Sequence, residues 1–297
     1  MGREEIHLFS ITGKYIRKLA QRGRGPEDVY QIWGYCVDED AACLYLAEAQ
    51  QVIDVIDLKE GKMLRKMPLQ MGSPRALLLD KDGMLTYIAL SRVKGNNQSA
   101  VCRMAPDGIF LGTIVSSVSH ALAGEKYYLG ATDHKVYCKL GLNDTLYTLQ
   151  DSIGIPQYRM IATESYSDET GKGHLVDVAF GNKDFWILAD VEIEVKKVGS
   201  IQAAPKHYAG YYAFHKGNAK LKKIVGFYID PLDVSLKNYF PLRVSGKKAY
   251  WNMNVGDFRR QLEKKTDSPL VADSLKNLYY SLAENDNPLV LVGDMKQ

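Results

Sequence analysis

Apolar and polar residues alternate along most of the chain in short runs, and clusters of Asp, Gly, Asn and Lys separate one run from the next. Five stretches share one form: VDEDAACLYLAE (37–48), LDKDGMLTYIAL (79–90), LAGEKYYLGA (122–131), FGNKDFWILAD (180–190) and VSGKKAYWNMN (244–254). Each is an apolar strand, a polar turn and a second strand dense in Tyr, Trp, Leu and Ile, which is hairpin chemistry. They alternate with further hairpins at about 8–19, 55–66, 102–114, 136–149 and 211–224, and NPLVLVGDMK (287–296) supplies a last strand. The period changes near the C-terminus, where a helical insertion is predicted at about 256–283. Asp257 is placed to cap Phe258–Lys265, and Asp267 to start Leu270–Leu282, with Leu275, Leu278, Tyr279 and Leu282 on one stripe that packs on its own domain.

The chain also repeats itself. ITGKYIRKL (11–19) returns as LKEGKMLRKM (58–67), which sets Gly13, Arg17 and Lys18 against Gly61, Arg65 and Lys66 at an offset of 48 residues. A weaker copy, APDGIFLGTI (105–114), follows at an offset of 47. Such a period accommodates a four-stranded blade, and an inner hairpin followed by an outer one is a blade of a β-propeller. The expected fold is therefore all-β, one propeller domain over residues 1–297. The series opens on an outer hairpin with no inner partner before it, so the first blade is incomplete in this chain. The alternative is a closed five-bladed ring in which that hairpin completes the blade begun at 240–252.

Four stretches carry a family likeness: LFSITGKYIRKLAQRGRGPEDV (8–29), NDTLYTLQDSIGIPQYRM (143–160), YYAFHKGNAKLKKIVGFYIDPLD (211–233) and LKNLYYSLAENDNPLVLVGDMK (275–296). In their order the chain resembles the six-bladed propellers related to NHL-repeat proteins, common as exported lipoproteins of gut anaerobes. The resemblance implies six blades, a lipoprotein signal and a complete first blade in the natural protein, and a periplasmic or outer-surface location. It implies no particular activity, because function is carried by sites rather than folds.

Composition narrows the partners. A net charge of +3, spread over 38 basic and 35 acidic side chains, advertises no nucleic acid. No apolar run is long enough to cross a membrane, and charges stand in residues 1–20 where a signal peptide would carry its apolar stretch. No cofactor motif is present, and a monomer is expected. Cys36, Cys43, Cys102 and Cys138 lack metal-site spacing. They read as small buried thiols, with a Cys36–Cys43 disulfide as the alternative.

The run QRGRGPEDVYQIW (21–33) poses the sharpest chemical question. Gly23-Arg24-Gly25 meets no third glycine at the dinucleotide spacing and no Lys-Ser/Thr, and a strand follows rather than a helix N-terminus, so a phosphate cradle is excluded. Two readings stand. In one, Gly23 and Gly25 adopt positive φ in a tight corner and Pro26 stiffens its exit. In the other, Arg22 and Arg24 contact an anion. Strand parity adds that inner-to-outer and blade-to-blade connections emerge at the same end of each blade. That places Arg22, Arg24, Arg75, His120 and Arg159 towards one loop-rich face, with Trp33 as a stacking surface. His120 and His174 are expected near the starts of inner strands. The predicted function is a non-enzymatic scaffold that binds a small anionic or sugar ligand or a protein partner on this face. The alternative is a metal-dependent hydrolase of the propeller lactonase kind, with ligands drawn from several blades. ENDNP (284–288) offers oxygens for calcium without the spacing of a calcium loop, and reads as a helix end.

Overall fold

Period-two alternation gives each strand two faces, and in this chain both faces of successive sheets are buried, each in a different core. The computed structural model describes residues 5–294 apart from 11–13, 26, 94–95, 121–126, 133–134, 142, 151–152, 163, 166, 168–169, 195, 199–200, 204–205, 225–226, 230–233, 237–242, 246–247, 264–272 and 284–288. The chain divides into two compact units, residues 1–177 with 191–207, and residues 178–190 with 208–297.

In the first unit, β1 (Glu5–Phe9) and β2 (Tyr15–Gln21) form a two-stranded antiparallel sheet. Three four-stranded sheets follow, each in chain order. The first holds β3 (Ile32–Asp38), β4 (Cys43–Glu48), β5 (Val52–Asp57) and β6 (Met63–Pro68). The second holds β7 (Ser73–Leu79), β8 (Leu85–Val93), β9 (Asn96–Met104) and β10 (Phe110–His120). The third holds β11 (Tyr128–Thr132), β12 (Lys135–Lys139), β13 (Thr145–Gln150) and β14 (Ile153–Arg159).

Side-chain parity shows how these sheets stack. Cys36, Tyr45 and Val55, paired across β3, β4 and β5, meet Leu77, Tyr87 and Cys102 of the second sheet in one cluster. The opposite face of the first sheet, with Leu44, Leu46 and Ile56, packs on Ile6, Leu8, Leu19 and Ala20 of β1 and β2. The opposite face of the second, with Ile88 and Val101, packs on Cys138 and Leu140 of the third. Sheets laid face to face in chain order, each a four-stranded meander, are the blades of a propeller-type fold. Burying both faces makes single truncations here expensive, about 2–5 kcal/mol for Ile→Ala.

Strands β15 (Lys172–Gly181) and β16 (Phe185–Glu194) begin or end in the first unit and continue in the second. Between them and the next long strand lies the small hairpin β17 (Lys196–Val198) and β18 (Ile201–Ala203). With β19 (Lys206–His215) and β20 (Lys220–Ile224), β15 and β16 form a four-stranded sheet in the order β15-β16-β19-β20. A short pair, β21 (Phe227–Ile229) and β22 (Val234–Leu236), precedes β23 (Arg243–Ser245) and β24 (Lys248–Met253). Helices α1 (Val255–Glu263) and α2 (Asp273–Ser281) lead to β25 (Leu289–Asp294), which pairs with β24 to give the order β23-β24-β25.

Several expectations are corrected. Helix α1 begins earlier than predicted because Asn254 is its cap: the Asn254 Oδ1 accepts from the Asp257 amide at 2.7 Å. Its buried stripe is Val255, Phe258 and Leu262. Helix α2 presents half-buried Leu275, Leu278 and Tyr279, and the Arg259 guanidinium of α1 stands 5.2 Å above the Tyr279 ring. The predicted start at Asp267 and the ENDNP run lie outside the described residues. The hairpin placed at 136–149 is the central pair β12–β13 rather than an outer one. The sheet continues into β14 at 153–159, which carries Pro156 on its edge, where a missing N–H costs no ladder bond. As a consequence, His120 ends the fourth strand of its blade instead of starting an inner strand. His174 does lie near the start of β15, the first strand of its sheet. None of the four thiols is in a disulfide, and Cys36 pairs with Tyr45 while Cys43 pairs with Asp38, so the two do not face each other.

Candidate functional site

The corner at 21–30 resolves around an internal anion. Asp28 Oδ2 accepts from the Gly25 amide at 2.8 Å, and its Oδ1 accepts from Gln21 Nε2 at 2.9 Å. The backbone closes around it through Gly23 N to Val29 O at 3.0 Å and Val29 N to Gln21 O at 2.9 Å. The hydrogen bond from Gln21, then that from Gly25, holds the Asp28 carboxyl below its ordinary range. The glycines are therefore needed for space, not for positive φ, which neither adopts. A Cβ on Gly23 would lie 2.0 Å from Asp28 Oδ2. The seat a phosphate would take is filled by the chain's own carboxylate, and Arg22 and Arg24 stand exposed around it. Acidic Asp28 was hidden in the sequence because an Asp in a Gly-Pro loop reads as solvated.

Beneath the corner lies a second feature that the pattern concealed. Glu48 and Asp54, 2% and 0% exposed, share one face of the first sheet. Burial first, and then the hydrogen bond and charge of Asp54, push the Glu48 carboxyl up to about 7, against the pull of Lys66. Lys66 Nζ stands 3.5 Å from Asp54 Oδ1. A carboxyl buried beside a second one favours its neutral, protonated form, and Glu48 is the group so held. Glu48 Oε1 also accepts from the Tyr30 amide at 3.3 Å, tying the pair to the corner's exit.

That exit leads into a platform. The Arg75 guanidinium carbon lies 3.8 Å from the centre of the Trp33 ring, a cation–π stack worth about 0.5–2 kcal/mol. Both residues are the extra residue of a β-bulge at the start of an edge strand: the register slips between Ile32 and Gly34 in β3, and between Pro74 and Ala76 in β7. Bulges re-aim a side chain off the regular pleat, and here two of them in successive sheets aim at one spot. The connections are braced together, since Ala49 N donates to Gln31 O at 3.1 Å and Ser73 Oγ donates to Ala49 O at 2.9 Å. Trp33 is 38% exposed, so the stack retains a surface for a ligand.

The structure thus brings together Trp33 and Arg75, drawn from different sheets. It holds Arg159 elsewhere, at the end of β14, where its Nε donates to Asp144 Oδ2 at 2.6 Å. Burial pushes the Asp144 carboxyl up, but hydrogen bonds from Arg159 and Thr145 outweigh it and hold the group below its ordinary range. Arg22, Arg24, Trp33, Arg75, His120 and Arg159 all lie at the connection-bearing end of their own sheets, as strand direction requires. Among the described residues, His, Cys, Asp and Glu side chains do not gather in threes around a common point.

Stacked four-stranded meanders with an aromatic and cationic platform at the loop-bearing strand ends define a β-propeller-type protein. The chain belongs to the family described as "Domain of unknown function (DUF4934)", whose model matches residues 1–294. No curated protein matches it in sequence. Among solved structures it is similar to one described as a "Putative exported protein" from Bacteroides fragilis NCTC 9343, with a TM-score of 0.66 at 13% identity over 98% of this chain and 85% of that one. BamB from Moraxella catarrhalis matches with a TM-score of 0.45 at 13% identity, over 82% of this chain and 65% of that one. The C-terminal WD40 domain of Sif2 gives 0.43 at 10% identity, over 88% and 62%. Likeness at such identities concerns the fold. Among the described residues no helix is long and apolar enough to cross a membrane.

Proposed function

We propose that this protein is a non-enzymatic binding scaffold that takes a small anionic or carbohydrate ligand at the connection-bearing end of its blades. The observation that carries the reading is the Trp33–Arg75 stack, in which two bulges re-aim an indole and a guanidinium to one partly exposed spot. A guanidinium lying flat on an aromatic ring brings positive charge to the edge of an apolar surface, which suits an anionic group, while the ring accepts a sugar's C–H face. Exposed Arg22 and Arg24 border the same end, and we assign them, with His120 and Arg159, to the rim rather than the platform.

The architecture behind this reading is a single six-bladed propeller domain of the NHL-related type, whose first described sheet has two strands. It is supported by the pair β1-β2, four sheets of four strands and the final β23-β24-β25, with β17-β18 and β21-β22 as additional two-stranded pairs among the described residues. We read the natural protein as a monomer exported to the periplasmic or outer-surface side, which fractionation of the native host with an antibody to this chain tests. For binding, Arg75→Glu is compared with the parent by thermal shift across acidic glycans, sugar phosphates and simple anions. Ligands that stabilise the parent are expected to lose their effect on the variant. Equal shifts in both proteins contradict the assignment.

A further inference from the structure

A second concavity, absent from the sequence reading, opens at the connection-bearing end of the β11–β14 sheet. It measures about 380 Å³ and is lined by Lys139, Asn143, Asp144, Arg159 and Ser165, with His174 and its neighbours closing one side. That volume falls at the lower end of the roughly 300–1,000 Å³ typical of small-molecule sites. It shares no lining residue with the Trp33–Arg75 platform.

The charges in it come in pairs. Asp144 holds Arg159 at 2.6 Å, and buried Lys139 stands 3.7 Å from buried Asp177 while donating to Gly141 O at 2.8 Å. The positive charges are thus balanced before any ligand arrives, and an anion entering the cleft meets the Asp144 carboxylate on the same wall. The Arg159 side chain is nevertheless 72% exposed, because Nε alone is committed to Asp144 and the far side of the guanidinium reaches solvent. A carboxylate beside a guanidinium presents an acceptor and a donor side by side. A hydroxyl group satisfies both at once, since it accepts from one and donates to the other, whereas a carboxylate ligand can only accept. Asn143 and Ser165 add neutral polar atoms, and Met160 and Ile161 add apolar surface for ring C–H groups; Ile161 is 63% exposed.

We propose that this cleft is a sugar site, selective for a neutral mono- or disaccharide through the Asp144–Arg159 pair. The proposal rests on reading the chain as a binding module, but not on the Trp33–Arg75 platform. The test uses the whole chain, with saturation-transfer NMR and calorimetry against glucose, galactose, xylose, N-acetylglucosamine and maltose, and against glucuronate and galacturonate. Arg159→Ala and Asp144→Ala are compared with the parent, with Trp33→Ala as the control for the platform and circular dichroism as the check of folding.

At least one neutral sugar is expected to bind the parent, about tenfold or more weaker in both cleft variants. Raising salt from about 50 to about 500 mM should move that affinity less than about twofold, as befits an uncharged ligand. The proposal is overturned if no neutral sugar binds the folded parent at about 10 mM, or if binding survives both cleft substitutions. Uronates binding where neutral sugars do not, with Asp144→Ala strengthening them, would also overturn it, since that is the behaviour of an anion site. Anion binding that persists in Trp33→Ala, with the sugar site intact, would count against the platform alone.

Discussion

Replacing Glu48 with glutamine should change how stability depends on pH, in a direction fixed by burial. The Glu48 carboxyl sits at about 7 in the folded chain against an ordinary 4.5, because burial and the neighbouring Asp54 disfavour its charged form. The folded state therefore holds a proton that the unfolded state releases across that window. Stability from this group is complete below the unfolded value and is lost as pH rises through the folded one. At about 1.4 kcal/mol per unit, the loss accumulates to about 3 kcal/mol by pH 7 and levels off above it. Glutamine keeps a donor for Asp54 and cannot ionise, so Glu48→Gln should lack this descending component. It should unfold at higher urea than the parent at about pH 8, with the two proteins closely matched at about pH 5. The assay is urea denaturation followed by circular dichroism at half-unit pH steps, with the m-value checked for constancy. Parallel stability curves for parent and variant across the window would refute this account of a protonated Glu48.

Removing the corner's internal anion with Asp28→Ala deletes two hydrogen bonds and should be destabilising, with faster amide exchange at Gly25 as the local readout. Gly23→Ala should be destabilising alone but close to neutral on the Asp28→Ala background, because the 2.0 Å clash is with that carboxylate; additive effects in the cycle would contradict it. Ile88→Ala, buried between the second and third sheets, should lose about 2–5 kcal/mol with no change in ligand response, measured by thermal and urea unfolding.

Much of the fold was legible because its hairpin turns obey local chemistry. The KDG turn of β7 and β8 shows this: Gly83 takes φ 75° and Asp80 Oδ1 accepts from both Asp82 N and Met84 N. The third blade was misframed by one strand because the outer hairpin was expected at 136–149 although the sheet runs on through β14, and His120, expected at an inner-strand start, ends β10. At the site, Trp33 and Arg75 were visible as residue types, but their meeting depends on two bulges, and a bulge leaves no mark on alternation until the register is known. Glu48 and Asp54 were missed for the opposite reason. In YLAEAQQVIDVID (45–57) acidic residues alternating with apolar ones read as a solvated face, yet that face is covered by Leu19, Ala20 and Val29. Asp144 and Arg159 meet at the open end of the β13–β14 hairpin, where Thr145 pairs with Arg159, and that pairing was out of view because the hairpin was expected at 136–149.

The platform itself can be watched through its own indole. Of the chain's three tryptophans, Trp186 and Trp251 are 1% and 6% exposed, against 38% for Trp33, so ligand-dependent fluorescence changes at constant fold report on Trp33. Titrating the parent with sugar phosphates and acidic glycans should give a saturable change in tryptophan emission that disappears in both Trp33→Phe and Arg75→Glu. A flat response in the parent to every such ligand, or a response that persists in Trp33→Phe, would contradict the claim that this stack is the binding surface.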